Sequence, residues 1–163
     1  MQPDDIATEI DAARDLLAAT AAAHLGYVAA DGTPRTVPVG FWWTGEEFVV
    51  STAPEAPKVA ALRERPDVAL SVEAGDTPES AQALSVRGRV EITVVEGIVP
   101  EYLMAARRTM GEESAADFEA HVRTVFDQQA RIAIRPTWAR FYDYSDPDRM
   151  PAFLQRLVAT SGS

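Results

Sequence analysis

A short segment between residues 47 and 65 combines the residue types that bind phosphate. Ser51 and Thr52 end an apolar run, a proline-bounded loop follows, and Lys58 then begins a stretch with helical periodicity. Two hydroxyls, the free N–H groups at a helix start and one ammonium group can all hydrogen-bond an anion. The segment therefore predicts a phosphate site. A structural interpretation stays open, in which the hydroxyls cap a turn and Lys58 points into solvent.

The composition makes Lys58 conspicuous and removes several other chemistries. Lys58 is the single lysine among fifteen lysines and arginines, and the chain has no cysteine. Disulfides and cysteine nucleophiles are therefore excluded. The two histidines, His24 and His121, are too few for a histidine-rich metal site, so we predict no metal. We interpret both as structural or exposed, and the sequence indicates no catalytic acid–base pair.

The charge and hydropathy of the chain limit its partners. A formal net charge of −10 argues against a general nucleic-acid binder, which needs clustered lysine and arginine. No apolar run approaches the roughly 18 residues of a membrane span, and the N-terminal segment is acidic where a signal peptide would be basic. We expect a cytoplasmic protein with neither nucleic-acid nor membrane partners.

The spacing of apolar residues predicts the elements that would position the phosphate segment. Apolar residues recur at helical spacing over residues 4–20, with acidic residues in the first turn, and predict an N-terminal helix. The next segment alternates apolar and polar residues between turn signals, as the strands of a meander do. The predicted strands cover about 24–30, 35–43 and 47–52, with turns at Asp31-Gly32 and Thr44-Gly45.

The second half of the chain adds longer elements. A short helix after Lys58 stops at Pro66, and a strand follows over 67–74. A long strand over 83–95 carries Gly88 in its apolar row, which predicts a bulge or the close approach of another backbone. The remaining predicted elements are two helices within 97–128, a long bent strand over about 130–144 and a C-terminal helix over 147–160.

Together these elements predict a mainly β fold with flanking helices. Six or seven mostly antiparallel strands, with short helices at their ends, favour a β-barrel. We expect one domain over residues 1–163, with the barrel and its inserted helices over 22–144. A barrel of this kind can offer its rim to a ligand, although architecture alone does not define function.

Four segments carry a resemblance to a known family, in order, from about His24 to Tyr144. They are LGYVAADGTPRTVPVGFWW, STAPEAPKVAALRERPDVALSVE, VRGRVEI and RIAIRPTWARFYDYS. In this order they resemble the pyridoxamine 5′-phosphate oxidase-like, FMN-binding split-barrel superfamily, and within it the small flavin- or deazaflavin-dependent oxidoreductases. The resemblance implies a split β-barrel and a homodimer with the cofactor in a groove between the subunits.

The resemblance also implies roles for particular residues. Ser51, Thr52 and Lys58 would hold the cofactor phosphate. Many relatives carry an arginine just before the lysine, whereas this chain has Glu55-Ala56-Pro57 there. The second strand would hydrogen-bond the isoalloxazine ring through its backbone, and the long strands would reach the partner's site. The residues concerned are Pro38, Val39, Gly40, Phe41 and Trp42 on the second strand, and Arg87, Arg89 and Trp138 on the long strands.

Those roles imply an oxidoreductase that transfers a hydride between bound FMN or coenzyme F-420 and a small organic substrate. The arginine- and alanine-rich composition slightly favours the deazaflavin, because it is typical of the high-GC bacteria in which that branch is common. A purely structural interpretation of three of these residues also stays open. Arg87 and Arg89 could be surface residues in ion pairs, and Trp138 could belong to the core. Two functional alternatives remain, a non-catalytic module that binds flavin, deazaflavin or haem for storage or sensing, and a dimer that has lost its cofactor.

Overall fold

The computed structural model describes residues 1–161, except the side chains of Val158 and Ser161, so positions 162 and 163 of the predicted domain lie outside it. Its strands form one seven-stranded sheet with helices around it. The strands are β1 (Ala22–Val28), β2 (Pro34–Gly40), β3 (Trp42–Trp43), β4 (Phe48–Thr52), β5 (Asp67–Ala74), β6 (Gln82–Glu96) and β7 (Gln128–Asp143). The helices are α1 (Pro3–Ala12), α2 (Arg14–Ala19), α3 (Pro57–Glu64), α4 (Pro100–Met110), α5 (Glu112–Val125) and α6 (Ala152–Ser161).

The strands are arranged in the order β2-β1-β5-β6-β7-β4-β3, and every neighbouring pair is antiparallel. This arrangement confirms the predicted fold class, mainly β with flanking helices. The order leaves β2 and β3 as the two edge strands. Each edge strand therefore has backbone donors and acceptors that no neighbouring strand uses.

One face of the sheet encloses the hydrophobic core. Leu25, Phe48, Leu70, Leu84 and Ile132 come from five different strands, and each is at most 1% exposed. Helices α1, α2 and α3 close this core with further buried apolar side chains. Because side chains alternate along a strand, the residues between these positions point outward and are free to form a site.

Three predicted elements are divided in the structure. The C-terminal helix expected over 147–160 begins with a separate 3₁₀ turn over Pro147–Arg149, and α6 starts only at Ala152, directly after Pro151. The helix expected over 4–20 breaks at Ala13, whose backbone leaves helical geometry (φ −92°, ψ 7°) so that α1 and α2 follow the curved surface separately. The strand expected over 35–43 divides at Phe41 into β2 and β3. The cause is a change of partner, since β2 pairs with β1 whereas β3 pairs with β4.

Gly88 confirms both expectations drawn from its position in the apolar row. The pairing of β6 with β7 shifts register between Arg87 and Gly88, which is a bulge. A Cβ at Gly88 would lie 2.7 Å from a methyl carbon of Ile134 and 2.8 Å from the carbonyl oxygen of Arg135. The glycine is therefore required by the close approach of β7 as well as by the bulge.

Helix α1 covers the edge of β7 that β4 leaves open. Strand β4 pairs with β7 at residues 130–134 and does not extend to its C-terminal half. Along that half, the buried Glu9 carboxylate accepts a hydrogen bond from the Phe141 N–H at 2.8 Å and contacts Arg140 Nη1 at 3.3 Å and Arg149 Nη1 at 2.9 Å. A side chain thus satisfies a backbone donor that a strand would otherwise pair.

The helical segments of the described residues include none that is both long and apolar enough to cross a membrane.

Candidate functional site

The predicted phosphate segment is built from the end of β4 and the start of α3. Ser51 and Thr52 are the last residues of β4 and pair with Arg131 and Ala130 of β7. A turn closed by Ala56 N–H to the Ala53 carbonyl at 3.1 Å then leads directly into α3. No side chain caps this helix start. Pro57 has no N–H and the Val59 N–H donates to the Ala56 carbonyl at 2.8 Å, so the Lys58 N–H is the first at this helix start that is available to an external acceptor.

Lys58 lies in the first turn of α3 and is half-buried. Within the residues that the structure describes, its ammonium group makes no hydrogen bond and no ion pair, and the neighbouring Glu55 does not pair with it. The acidic residue that departs from the family pattern therefore does not neutralise the lysine. A partly desolvated cation without a counter-charge at an uncapped helix start favours an anionic ligand.

Ser51 carries the second unsatisfied polar group. Its Oγ is buried and has no hydrogen-bond partner. Ser51 and Val49 point away from the core into a cavity of about 240 Å³ between β4 and α4. Thr52 is half-buried on the core side by strand alternation, and neither Thr52 nor Lys58 lines this cavity. The other lining residues include Gly40, Phe41, Tyr102, Thr109 and Phe118.

An ion-pair network fixes α4 above this cavity. Arg131 donates from Nη2 and Nε to Glu101 Oε1, at 2.6 and 3.0 Å, and lies 3.7 Å from Glu47 Oε2. Burial on its own would raise the pKa of Glu101, but the hydrogen bonds from Arg131 outweigh it and hold that pKa below its ordinary value. In the same helix, burial raises the pKa of the Tyr102 phenol.

The second strand presents its backbone rather than its larger side chains. Val39 and Phe41 are buried in the core, whereas Pro38 and Gly40 are exposed. Because β2 is an edge strand, backbone groups on its outer side have no strand partner. The lack of an N–H on Pro38 is tolerated there. This geometry fits recognition of a flat ring through main-chain groups, as the resemblance implies.

The two tryptophans take opposite sides of β3, as strand alternation requires. Trp43 packs on Phe48 with ring centroids 4.5 Å apart, at the edge of the core. Trp42 faces outward, with the Arg108 guanidinium 5.7 Å from its ring centroid. Trp42 therefore lies outside the core, and both rings border a surface cavity beside α1 and α2.

Arg87, Arg89 and Trp138 lie together on the long strands and away from the Ser51 cavity. The Arg87 guanidinium stacks 4.6 Å above the Trp138 ring, which lies outside the core. Arg89 forms a 3.0 Å ion pair with Asp67, and both side chains are exposed. Within one chain the structure does not join this group to the phosphate segment. Their predicted role toward a partner's cofactor stays a prediction.

Arg108 was missed by the sequence reasoning. It is half-buried, and its Nη2 donates to the carbonyl oxygens of Thr20 and Phe41, each at 3.1 Å. Its guanidinium also stacks 4.7 Å from the Phe41 ring centroid. The one available signal was an arginine near the end of an amphipathic helix that follows the long strand, which is too common a pattern to single out a residue.

The residues present fit a phosphorylated planar cofactor. The orphaned Ser51 hydroxyl and the uncompensated Lys58 ammonium are donors for phosphate, although Lys58 does not line the Ser51 cavity, and the free edge of β2 offers main-chain contacts to a ring. The histidines do not join them, since His24 is exposed on β1 and His121 is exposed on α5. The site thus supplies binding groups and no evident acid–base pair.

Comparison with known proteins identifies the family to which this fold belongs. The family model described as pyridoxamine 5′-phosphate oxidase matches residues 10–143. The chain therefore belongs to the pyridoxamine 5′-phosphate oxidase family. No curated protein sequence matches the chain.

Solved structures agree on the fold and differ in activity. An F-420 reductase is 29% identical over 77% of this chain and 94% of its own, with a TM-score of 0.56. The conserved hypothetical protein Rv2991 of Mycobacterium tuberculosis is 22% identical over 88% of this chain and 86% of its own, with a TM-score of 0.63. HutZ, a haem-storage protein of Vibrio cholerae, is 14% identical over 83% of this chain and 94% of its own, with a TM-score of 0.58. The last two likenesses concern the fold alone.

Proposed function

We propose that this chain binds FMN or coenzyme F-420 and, as a homodimer, transfers a hydride between that cofactor and a small organic substrate. The observation that carries the proposal is Lys58, the chain's single lysine, unpaired within the described residues at the uncapped start of α3. Membership of the pyridoxamine 5′-phosphate oxidase family supports the same interpretation. A cytoplasmic location remains part of this proposal.

Each part of the site would contribute binding or orientation. Lys58 would hold the phosphate through its ammonium group and its backbone N–H, with Ser51 and Thr52 as hydroxyl donors. The end of β2 and the start of β3, from Pro38 to Trp42, would align the ring through main-chain groups. The cofactor would supply the hydride chemistry itself, so the protein needs to bind, orient and exclude water rather than provide an acid–base pair.

The dimer would use the outward face of β2, β1, β5 and β6. This face is exposed and consists largely of small side chains, among them Gly26, Thr36, Ala69 and Ser71, which permit close packing against a second sheet. Arg87, Arg89 and Trp138 would then approach the partner's cofactor. Light scattering at micromolar concentration tests this part, and a monomer in solution would contradict it.

Two considerations bear on the choice of cofactor. The 29% identity to an F-420 reductase supports the deazaflavin. The longer anionic tail of that coenzyme would require additional cations, whereas the chain has a net charge of −10. We retain a slight preference for F-420 and propose FMN as the other candidate.

Optical titration of both cofactors against wild-type protein and two variants tests the binding proposal. Removing one charge-assisted contact costs about 1.5–3 kcal/mol, so Lys58→Ala should weaken affinity roughly 10- to 150-fold. Arg63→Ala is the matched control, because it removes an exposed, unpaired cation from the other end of α3. Unchanged affinity in Lys58→Ala, or equal losses in both variants, would remove Lys58 from the site.

A separate experiment distinguishes an enzyme from a binding module. The reduced cofactor is loaded on the protein and mixed with quinone, nitroaromatic and enone acceptors in single-turnover mode. The proposal expects oxidation of the bound cofactor to be faster than that of the free cofactor with at least one acceptor. Tight binding without any acceleration would instead favour the alternative of storage or sensing.

A further inference from the structure

A second cavity, of about 450 Å³, lies between the N-terminal helices and the hairpin that joins β3 to β4. Its volume is within the range of small-molecule sites, and its lining combines apolar and aromatic walls with a few polar groups, as such sites do. It shares no lining residue with the Ser51 cavity. The residues that matter here are Ile10, Leu17, Trp42, Trp43, Arg14 and Arg108.

Arg108 is the polar group of this cavity that the protein leaves incompletely satisfied. No carboxylate of the described residues pairs with it, and its buried Nε has no hydrogen-bond partner. Within the part of the chain that the structure describes, three other arginines also lack a carboxylate partner, but Arg63, Arg87 and Arg156 are exposed. Arg108 is thus a half-buried cation without a counter-charge. An orphaned buried donor in a native structure calls for an explanation, and a ligand anion provides one.

The surroundings of Arg108 define the shape of that ligand. The Trp42 ring lies 5.7 Å from the guanidinium, and Trp43 forms a further aromatic wall of the cavity. The buried Phe41 ring, 4.7 Å from the guanidinium, does not line this cavity. Ile10 and Leu17 are buried and apolar. A ligand that contacts both the aromatic walls and the Arg108 guanidinium has a flat apolar body and one planar anionic group. A carboxylate is such a group, because its two oxygens match the planar pair of donors on a guanidinium.

The remaining charges at the cavity do not oppose an anion strongly. Asp11 and Arg14 both line it and form an ion pair with each other at 3.6 Å. Their side chains are 73% and 74% exposed, so water screens them. Arg108 lies deeper, where burial lowers the pKa of its guanidinium, which nevertheless remains cationic.

We propose that this cavity binds a small aromatic carboxylate, with Arg108 holding the carboxylate and Trp42 and Trp43 lining the ring. The cavity shares Trp42 with the proposed contacts to the cofactor ring, but the proposal goes beyond the cofactor site because it requires neither Lys58 nor a bound flavin. It is therefore tested on cofactor-free protein. Failure to bind flavin and failure to bind a carboxylate are separate results.

Calorimetric titration with 2-naphthoate and the neutral 2-naphthamide provides the test. Wild-type protein should bind naphthoate at least 10-fold more tightly than naphthamide. Arg108→Gln should abolish that preference. Arg107→Gln is the matched control on the same helix, because Arg107 is exposed and pairs with Glu119 outside the cavity, and it should preserve the preference.

A second variant covers the possibility that Arg108→Gln fails to fold, since Arg108 also ties α4 to two carbonyl oxygens. Ala18→Phe fills the cavity from an exposed position on α2 and should abolish naphthoate binding with Arg108 intact. The proposal is overturned if wild-type protein shows no preference for naphthoate, or if a folded Arg108→Gln protein or Ala18→Phe binds it as wild type does.

Discussion

Two charged clusters of this protein differ in how completely they are satisfied. At the edge of β7, the Glu9 carboxylate receives one backbone N–H and contacts from Arg140 and Arg149. At the start of α3, Lys58 has no partner among the described residues, and the nearby Ser51 hydroxyl is buried and unpaired. A satisfied cluster stabilises the fold, whereas an unsatisfied one retains its binding capacity for a ligand. Whether a polar group has hydrogen-bond or ion-pair partners within the protein thus distinguishes the structural groups from the candidate functional ones.

The largest effect on stability is expected at Glu9. Glu9→Ala leaves the Phe141 N–H and two arginines without their acceptor in a largely buried position, and should lower the free energy of unfolding by about 3 kcal/mol. Glu9→Gln retains one acceptor oxygen and should lose less. Urea denaturation measures both variants, and a loss below about 0.5 kcal/mol in Glu9→Ala would show that the cluster does not anchor α1.

A smaller, pH-dependent effect is expected at Glu101, which ties α4 to β7. Glu101→Gln should lower the free energy of unfolding at pH 7 by about 1 kcal/mol, because it weakens a charge-assisted pair with Arg131. The fold lowers the pKa of Glu101, so its stabilising contribution is present above the ordinary value of 4.5 and is lost as the pH falls through the lowered value.

The pH dependence provides the check on Glu101. Denaturation curves of wild type and Glu101→Gln should differ at pH 7 and converge as the pH falls below the lowered pKa of Glu101. A difference that stays constant from pH 7 to pH 3 would mean that the carboxylate charge contributes nothing to the anchoring of α4.

The smallest effect on stability is expected at Ser51. Ser51→Ala removes a hydroxyl without a partner, so the free energy of unfolding should change by less than about 0.5 kcal/mol. Cofactor affinity should nevertheless fall roughly 2- to 10-fold, the value of one neutral hydrogen bond. If Ser51→Ala greatly lowered the free energy of unfolding and left cofactor affinity unchanged, Ser51 would be a structural residue like Glu9 and not a ligand-binding one.

The sequence predicted most of the fold because its signals are local. Asp31-Gly32 and Thr44-Gly45 marked turns, alternation marked the strands, and Gly88 marked the bulge. The breaks at Ala13 and Phe41 were not predicted. Each depends on which distant element the chain packs against, and local periodicity carries no information about that choice.

The candidate site was predicted less completely. Lys58 and Ser51 stand out by residue type and position, but whether a donor is left unpaired depends on all its neighbours in space. The contact of Arg108 with the Phe41 carbonyl joins residues 67 positions apart. Residue spacing along the sequence does not predict such a contact, because it forms only when α4 packs against the break between β2 and β3.

The most direct measurement of the central claim compares each cofactor with its phosphate-free form, FMN with riboflavin and F-420 with its deazariboflavin core. Wild-type protein should bind the phosphorylated form of its cofactor at least about 10-fold more tightly. Lys58→Ala should reduce that preference toward parity and leave the affinity for the phosphate-free form unchanged. A Lys58→Ala protein that keeps the full preference, or loses affinity equally for both forms, would contradict a phosphate site at the start of α3.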